Sequence, residues 1–273
     1  MLFATEKIFK NLALIFIDRN FRKYILMAVA IGGKKRYQKC TVKIDSVKFQ
    51  VPDNRSFLAQ FLEIFVNEIY NFNSVNDKPL IIDCGANIGT SVLYFKKLYP
   101  QSMIKAFEPD PGIYSILQQN IDTAKFENIH LFNKAVWTKD SVLNFHSEGS
   151  DAGSISDNGG PNLKVKAIQL SKFLAECPQN IDLLKIDIEG AEYEVLLSCK
   201  DQLSKVDNIF VECHTFPNQP QRIHEVLKMF EDLNFRYYIQ NEAIRKRPFI
   251  NKKEKELMDM QLNIFAYRKV QHS

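Results

Sequence analysis

From Leu80 onward, short apolar runs alternate with stretches whose apolar residues recur every three or four positions. Leu80 to Asp83, Ser102 to Glu108, Ile129 to Val136, Ile181 to Glu189 and Asn208 to Cys213 read as strands. The intervening segments read as helices, running to about Tyr99, to about Asp122, and over Ala191 to Ser198. Ser171 is expected to cap a short helix. Pro220 is expected to open another, bearing Ile223, Val226, Leu227, Phe230 and Leu233. Phe235 to Ile239 and Asn263 to Tyr267 read as closing strands. Strand–helix alternation of this kind predicts an α/β fold with a mostly parallel, doubly wound sheet. Ser141 to Ser147 and Leu163 to Ile168 read as extra strands flanking a polar loop, Glu148 to Asn162.

Upstream the pattern changes. Thr41 to Val51 alternates like a hairpin with Asp45 and Ser46 near its turn. Ser56 is then expected to cap a helix carrying Phe57, Phe61, Ile64, Phe65, Ile69 and Tyr70 at helical spacing. Residues 1–75 are therefore read as a helical and hairpin cap, and residues 76–273 as the nucleotide-binding domain.

The turn after the first strand reads Gly85-Ala-Asn-Ile-Gly89, with Asp83 at the strand tip. A pyrophosphate wants bare backbone N–H groups there and no carboxylate beside them. Asp83 repels such a ligand and suits a phosphate-free one that carries a cation and a ribose, as S-adenosylmethionine does. Glu108 ends the second strand 25 residues after Asp83, near the ~20-residue offset of a ribose-binding acid. Asp110 then caps a new helix with Pro111 in its first turn.

Composition adds bounds. At 273 residues the chain holds one large α/β domain plus an extension. A net charge of +4 does not mark a nucleic-acid binder, and none is expected as a partner. The five cysteines form no CxxC pair, which points to reduced thiols and a cytoplasmic setting. The apolar pieces Leu12 to Ile17 and Tyr24 to Ile31 are divided by Asp18, Arg19, Arg22 and Lys23, and each is shorter than the ~20 residues of a membrane span. An amphipathic helical extension is the plain reading. Peripheral membrane attachment, helped by Lys34, Lys35, Arg36 and Lys39, is the alternative.

Ligands of open α/β sheets bind outside the carboxyl ends of the strands. The polar groups there are Asp83, Glu108, Asn133 with Ala135, Asp187 with Glu189, and Glu212 with His214. IIDCGANIGTS, FEPDP, NKAV and LKIDIEGAEYEVL together resemble the FkbM-type family of S-adenosylmethionine-dependent methyltransferases, over roughly Leu80 to His214. The resemblance implies a Rossmann-like class I methyltransferase with a seven-stranded sheet whose last strand is antiparallel. It also implies O-methylation, commonly of sugars or other hydroxylated natural products. By motif, Asp83, Gly85, Ala86, Asn87 and Gly89 would contact the methionine part of the donor. Glu108 and Pro109 would lie at the ribose, and Asn133, Ala135 and Val136 at the adenine. Lys185, Asp187 and Glu189 match the K-x-D-x-E motif.

A hydroxyl acceptor needs alignment and deprotonation. His214, with an ordinary imidazole pKa of ~6.5, is the first candidate base, Asp187 the second, and Lys185 completes the catalytic set. Asp187, Glu212 and His214 could instead hold a divalent cation. Glu189 reads as a loop-orienting residue, with Glu192 or Glu194 exposed on the next helix. Trp137 either stacks on a ligand or packs in the core. Gly153 to Ser156 is a candidate acceptor-facing loop. The basic stretch around Arg245, Lys246, Arg247, Lys252, Lys253 and Lys255 is read as a solvated face. The expected acceptor is a small molecule or glycan. The competing functions are an NAD-dependent oxidoreductase and a non-catalytic nucleotide-binding module. Oligomeric state and acceptor identity are not encoded in any motif.

Overall fold

The computed structural model describes residues 16–146, 162–217, 219–241, 246–251 and 258–268, with backbone only at 146 and 162. The candidate loop Gly153 to Ser156, the side chain of His146, and Arg245, Lys252, Lys253 and Lys255 lie outside the described residues.

The cap begins with α1 (Arg19–Ile31), N-capped by Asp18, whose carboxylate accepts from the N–H groups of Asn20 and Phe21. The expected hairpin forms from β1 (Cys40–Ile44) and β2 (Val47–Val51), paired antiparallel. Asp53, not Ser56, caps α2 (Asn54–Phe61): its Oδ1 accepts from Arg55 N, and Ser56 Oγ donates to Oδ2. The helix then opens into a π-helical turn over Leu62–Val66 instead of continuing to Tyr70. Phe57, Phe61 and Phe65 nevertheless stay buried, with Phe61 and Phe65 stacked at 4.6 Å.

The nucleotide half runs β3 (Leu80–Cys84), α3 (Thr90–Leu98), β4 (Met103–Phe107), α4 (Pro111–Ala124) and β5 (Ile129–Phe132). β6 (Ala135–Trp137), β7 (Ser141–His146), β8 (Asn162–Gln169) and α5 (Leu170–Ala175) follow. The chain closes with β9 (Ile181–Ile186), α6 (Glu192–Ser198), β10 (Val206–Thr215), α7 (Ile223–Asp232), β11 (Phe235–Asn241) and β12 (Met260–Arg268). The central sheet has seven strands in the order β11-β12-β10-β9-β3-β4-β5. Strands β10, β9, β3, β4 and β5 pair in parallel, and β12 lies antiparallel between β10 and β11. β3 and β9 are buried along their whole length, as expected of parallel strands covered on both faces.

Three local readings change. The run Ile129 to Val136 is two strands: the N–H of Lys134 turns back to Phe132 O, so β5 stays in the main sheet while β6 joins β8 and β7 in a separate three-stranded sheet. Ser171 does not cap α5; its hydroxyl accepts from the Gln169 side chain. α7 starts at Ile223, beyond Pro220. Trp137 packs against the hydrophobic clusters on both sides of β6.

The cap is continuous with the core. Met27, Phe49, Phe57 and Phe61 belong to the same buried cluster as Ile81, Val92, Phe95 and Leu117 of the sheet and its helices. Asn120 on α4, fully buried, fastens the hairpin: it takes the N–H of Gln50, and donates to Gln50 O and Ile88 O. The cap is thereby held over the carboxyl ends of the strands.

Candidate active site

A cavity of about 510 Å³ opens over the carboxyl ends of β3, β4, β9 and β10 and is roofed by the cap. Its floor is the turn after β3. Gly85 stands at φ +87, and a Cβ there would lie 1.8 Å from the carbonyl oxygen of Asp187. Only glycine allows β3 and the end of β9 to approach so closely. Every backbone N–H from 85 to 89 is already used. Those of Gly85 and Ala86 go to Phe107 O, Asn87 to Glu108 Oε2, Ile88 to Asn87 Oδ1, and Gly89 to Ala86 O. The turn is therefore not a phosphate cradle, which speaks against the NAD reading. It fits an adenosyl donor without phosphates.

Glu108 lines the cavity just past β4. Its two oxygens accept from Asn87 N (3.0 Å) and Asp110 N (2.9 Å), fixing the carboxylate at the wall. Burial pushes its pKa up to about 8, against the lowering effect of those hydrogen bonds. Pro109, Ala135 and Val136 also line the cavity, Ala135 and Val136 as a buried apolar edge. Asn133 does not line it. It is exposed, and its amide ties Glu108 O and Pro109 O, so it braces the loop that presents Glu108. Gly89 is likewise off the wall, holding the N-terminus of α3 in a left-handed conformation.

Asp83 is also absent from the wall. It is fully buried; Oδ2 accepts from Ser91 Oγ at 2.6 Å, and Oδ1 faces Lys185 Nζ at 3.3 Å. The sheet register makes this pair, since Asp83 lies opposite Lys185 on neighbouring strands. The group that reaches the cavity is Lys185, whose ammonium donates to Gly85 O (2.8 Å) and lies 3.3 Å from Asp187 Oδ2. Burial acts to lower its pKa, and Asp83 and Asp187 outweigh that and raise it well above the lysine value.

Glu212 and His214 project from the same face of β10, two residues apart. Of the two acids expected on the next helix, Glu194 is exposed, whereas Glu192 is fully buried at the start of α6, accepts from Ile188 N and Gly190 N, and receives His214 Nδ1 at 2.9 Å. That bond fixes the imidazole, leaving Nε2 3.5 Å from Glu189 and 3.8 Å from Glu212. Burial alone would lower the His214 pKa. The Glu192 hydrogen bond, with Glu189 and Asp187 nearby, overrides it and pushes the value up to about 10. Burial also raises Glu189 to about 9, and burial together with Asp187 raises Glu212 to about 8. These neighbours favour the protonated imidazole, where residue type alone suggests a near-neutral base.

Asp187, Glu212 and His214 each offer an atom within 4.8 Å of the others, a spacing one hard cation could bridge. All three already have partners: Asp187 in Lys185, Glu212 in Gln261 and His214 in Glu192. Residues that no motif marks complete much of the wall, among them Arg36, Tyr37, Gln60, Glu63 and Tyr70, whose ring lies 5.7 Å from Lys185 Nζ.

The FkbM methyltransferase domain model matches residues 83–237. Methyltransferase 1 of Beauveria bassiana is 30% identical over 175 residues, covering 55% of this chain and 70% of that protein. The 2-O-methyltransferase NoeI of Sinorhizobium fredii is 27% identical over 155 residues, covering 49% and 63% respectively. The hexuronic acid methyltransferase AglP of Haloferax volcanii is 26% identical over 141 residues, covering 50% and 57%.

Proposed function

Since the chain belongs to the FkbM methyltransferase family, and is an S-adenosylmethionine-dependent methyltransferase, we propose that it methylates a hydroxyl of a saccharide or glycoconjugate. The donor supplies an activated methyl group. Glu108 would hold its ribose, Ala135 and Val136 its adenine, and the Gly85–Asn87 turn with Lys185 its methionine end. Asp83 serves at one remove, anchoring Lys185 from behind.

The observation that carries the acceptor reading is the composition of the roof. Arg36, Ser56, Gln60 and Glu63 all border the cavity, as does Gln261 from β12. A polyol with many hydroxyls is recognised by such donors and acceptors, which can share or exchange their present partners with its hydroxyls. The similarity to a 2-O-methyltransferase and to a hexuronic acid methyltransferase supports the same class.

Asp187 is the base in this proposal. It borders the cavity, half in contact with Lys185, and can take the acceptor proton as the oxygen attacks. His214 keeps its proton and its contact with Glu192, and so organises the acids around it instead of abstracting the proton itself. The test is transfer of a labelled methyl group to cell-envelope glycan fractions. The expected product is an alkali-stable methyl ether. Label that mild alkali releases as an ester, or that enters only nucleic acid or protein, defeats the reading.

A further inference from the structure

Among the described residues, helix α1 presents one face to the core and leaves the other uncovered. Met27 and Ile31 are buried, while Leu26 is 65% and Val29 82% exposed. At about 100° per residue, Leu26, Val29, Ala30 and Arg22 fall on a single outward arc. Phe16 and Ile17, immediately upstream, are each 80% exposed. Large apolar side chains gathered on one exposed face call for an explanation in a way that scattered ones do not.

Charge indicates the occupant. Residues 16–39 contain seven Lys or Arg and one acid, Asp18. Asp18 is consumed as the cap of α1. Arg19 and Lys23 are turned to Asp45, and Arg36 to Asp53. Lys34, Lys35 and Lys39 remain exposed beyond the end of the helix. An apolar centre bordered by lysines matches the interface of an anionic bilayer, where side chains enter the acyl boundary and ammonium groups meet lipid phosphates. A two-fold contact between copies would set this basic patch against itself.

We propose that α1 is a docking surface for an anionic lipid bilayer. It does not span the membrane; no helix among the described residues is long and apolar enough to do so. The placement has a consequence for the cavity. Arg36 and Tyr37, which follow the helix directly, line the cavity wall. A docked α1 therefore brings the roof of the cavity to the membrane surface, where a lipid-borne acceptor would arrive.

The experiment is vesicle co-sedimentation of the full chain. Vesicles containing phosphatidylglycerol are compared with vesicles of phosphatidylcholine alone, at low and high salt. Wild type is expected to sediment with the anionic vesicles only, and less at high salt. L26E/V29E is expected to reduce the bound fraction about tenfold, and K34E/K35E to abolish the salt dependence. Calorimetry with S-adenosylhomocysteine shows whether each variant keeps its fold and donor pocket, so the outcome stands apart from that of the methyltransferase reading. Wild type that stays in the supernatant overturns the proposal. So does L26E/V29E that binds as wild type, or light scattering showing a dimer that the same variant dissolves.

Discussion

The positions that fix the chemistry here are defined by neighbours far away in the chain. Asp83 was legible as a strand-tip acid, but its partner Lys185 enters only through the pairing of β3 with β9. His214 was legible as a histidine near a strand end. The carboxylates around it come from the β9–α6 loop, from α6 and from β10 itself, and strand spacing brings only the last of these to it. Two substitutions follow. Asp187→Asn should lower kcat by on the order of 10²- to 10⁴-fold, the usual contribution of a positioned base. Its calorimetric affinity for S-adenosylhomocysteine should change little; an active Asp187→Asn enzyme would remove Asp187 from the mechanism. Gly85→Ala should fail to accumulate as soluble protein, because the new Cβ meets backbone and has nowhere to move. A soluble, donor-binding Gly85→Ala protein would mean that the turn can be rebuilt.

Elements were read more securely than their ends. Parallel strands announce themselves as apolar runs, and the hairpin as strict alternation, because burial on two faces or on one writes a different pattern. Boundaries were lost where a backbone bond outweighed the side-chain pattern. The turn at Lys134 divides an apolar run between two sheets, and the π-helical turn at Leu62 redirects a helix whose apolar spacing continues unbroken. The attachment of the cap was not legible at all, since Asn120 sits in an otherwise ordinary amphipathic helix. Its removal gives a test at this scale. Asn120→Ala strands the Gln50 amide and the Ile88 carbonyl, and should cost about 2–3 kcal/mol, read as a lower urea midpoint. No shift would mean that the shared hydrophobic cluster alone holds the hairpin.

Across the whole molecule, the acid-rich rim couples stability to pH. His214 has a folded pKa near 10, above its unfolded value of ~6.5. The stability it contributes is therefore complete below the unfolded value and is lost as pH rises through about 10. Glu189 and Glu212, raised to about 9 and about 8, also hold protons in the fold that the unfolded chain has released. Their contribution likewise declines with rising pH, starting near the unfolded value of ~4.3. The three have one sign, so Tm should fall steadily from mildly acidic pH to pH 10. Scanning calorimetry that shows Tm rising between pH 6 and 9 would contradict the arrangement of these side chains.

The order of the sheet also has a history in time. Among the described residues β11 pairs only with β12, and β12 is what joins it to β10. A ribosome thus releases β11 before its only partner exists, and the apolar rim of β10 stays unzipped until Met260–Arg268 has been synthesised. A stop codon ahead of Met260 should therefore yield aggregates, not a smaller enzyme. Late-emerging sequence here closes one edge of a sheet whose first strand, β3, lies in its interior.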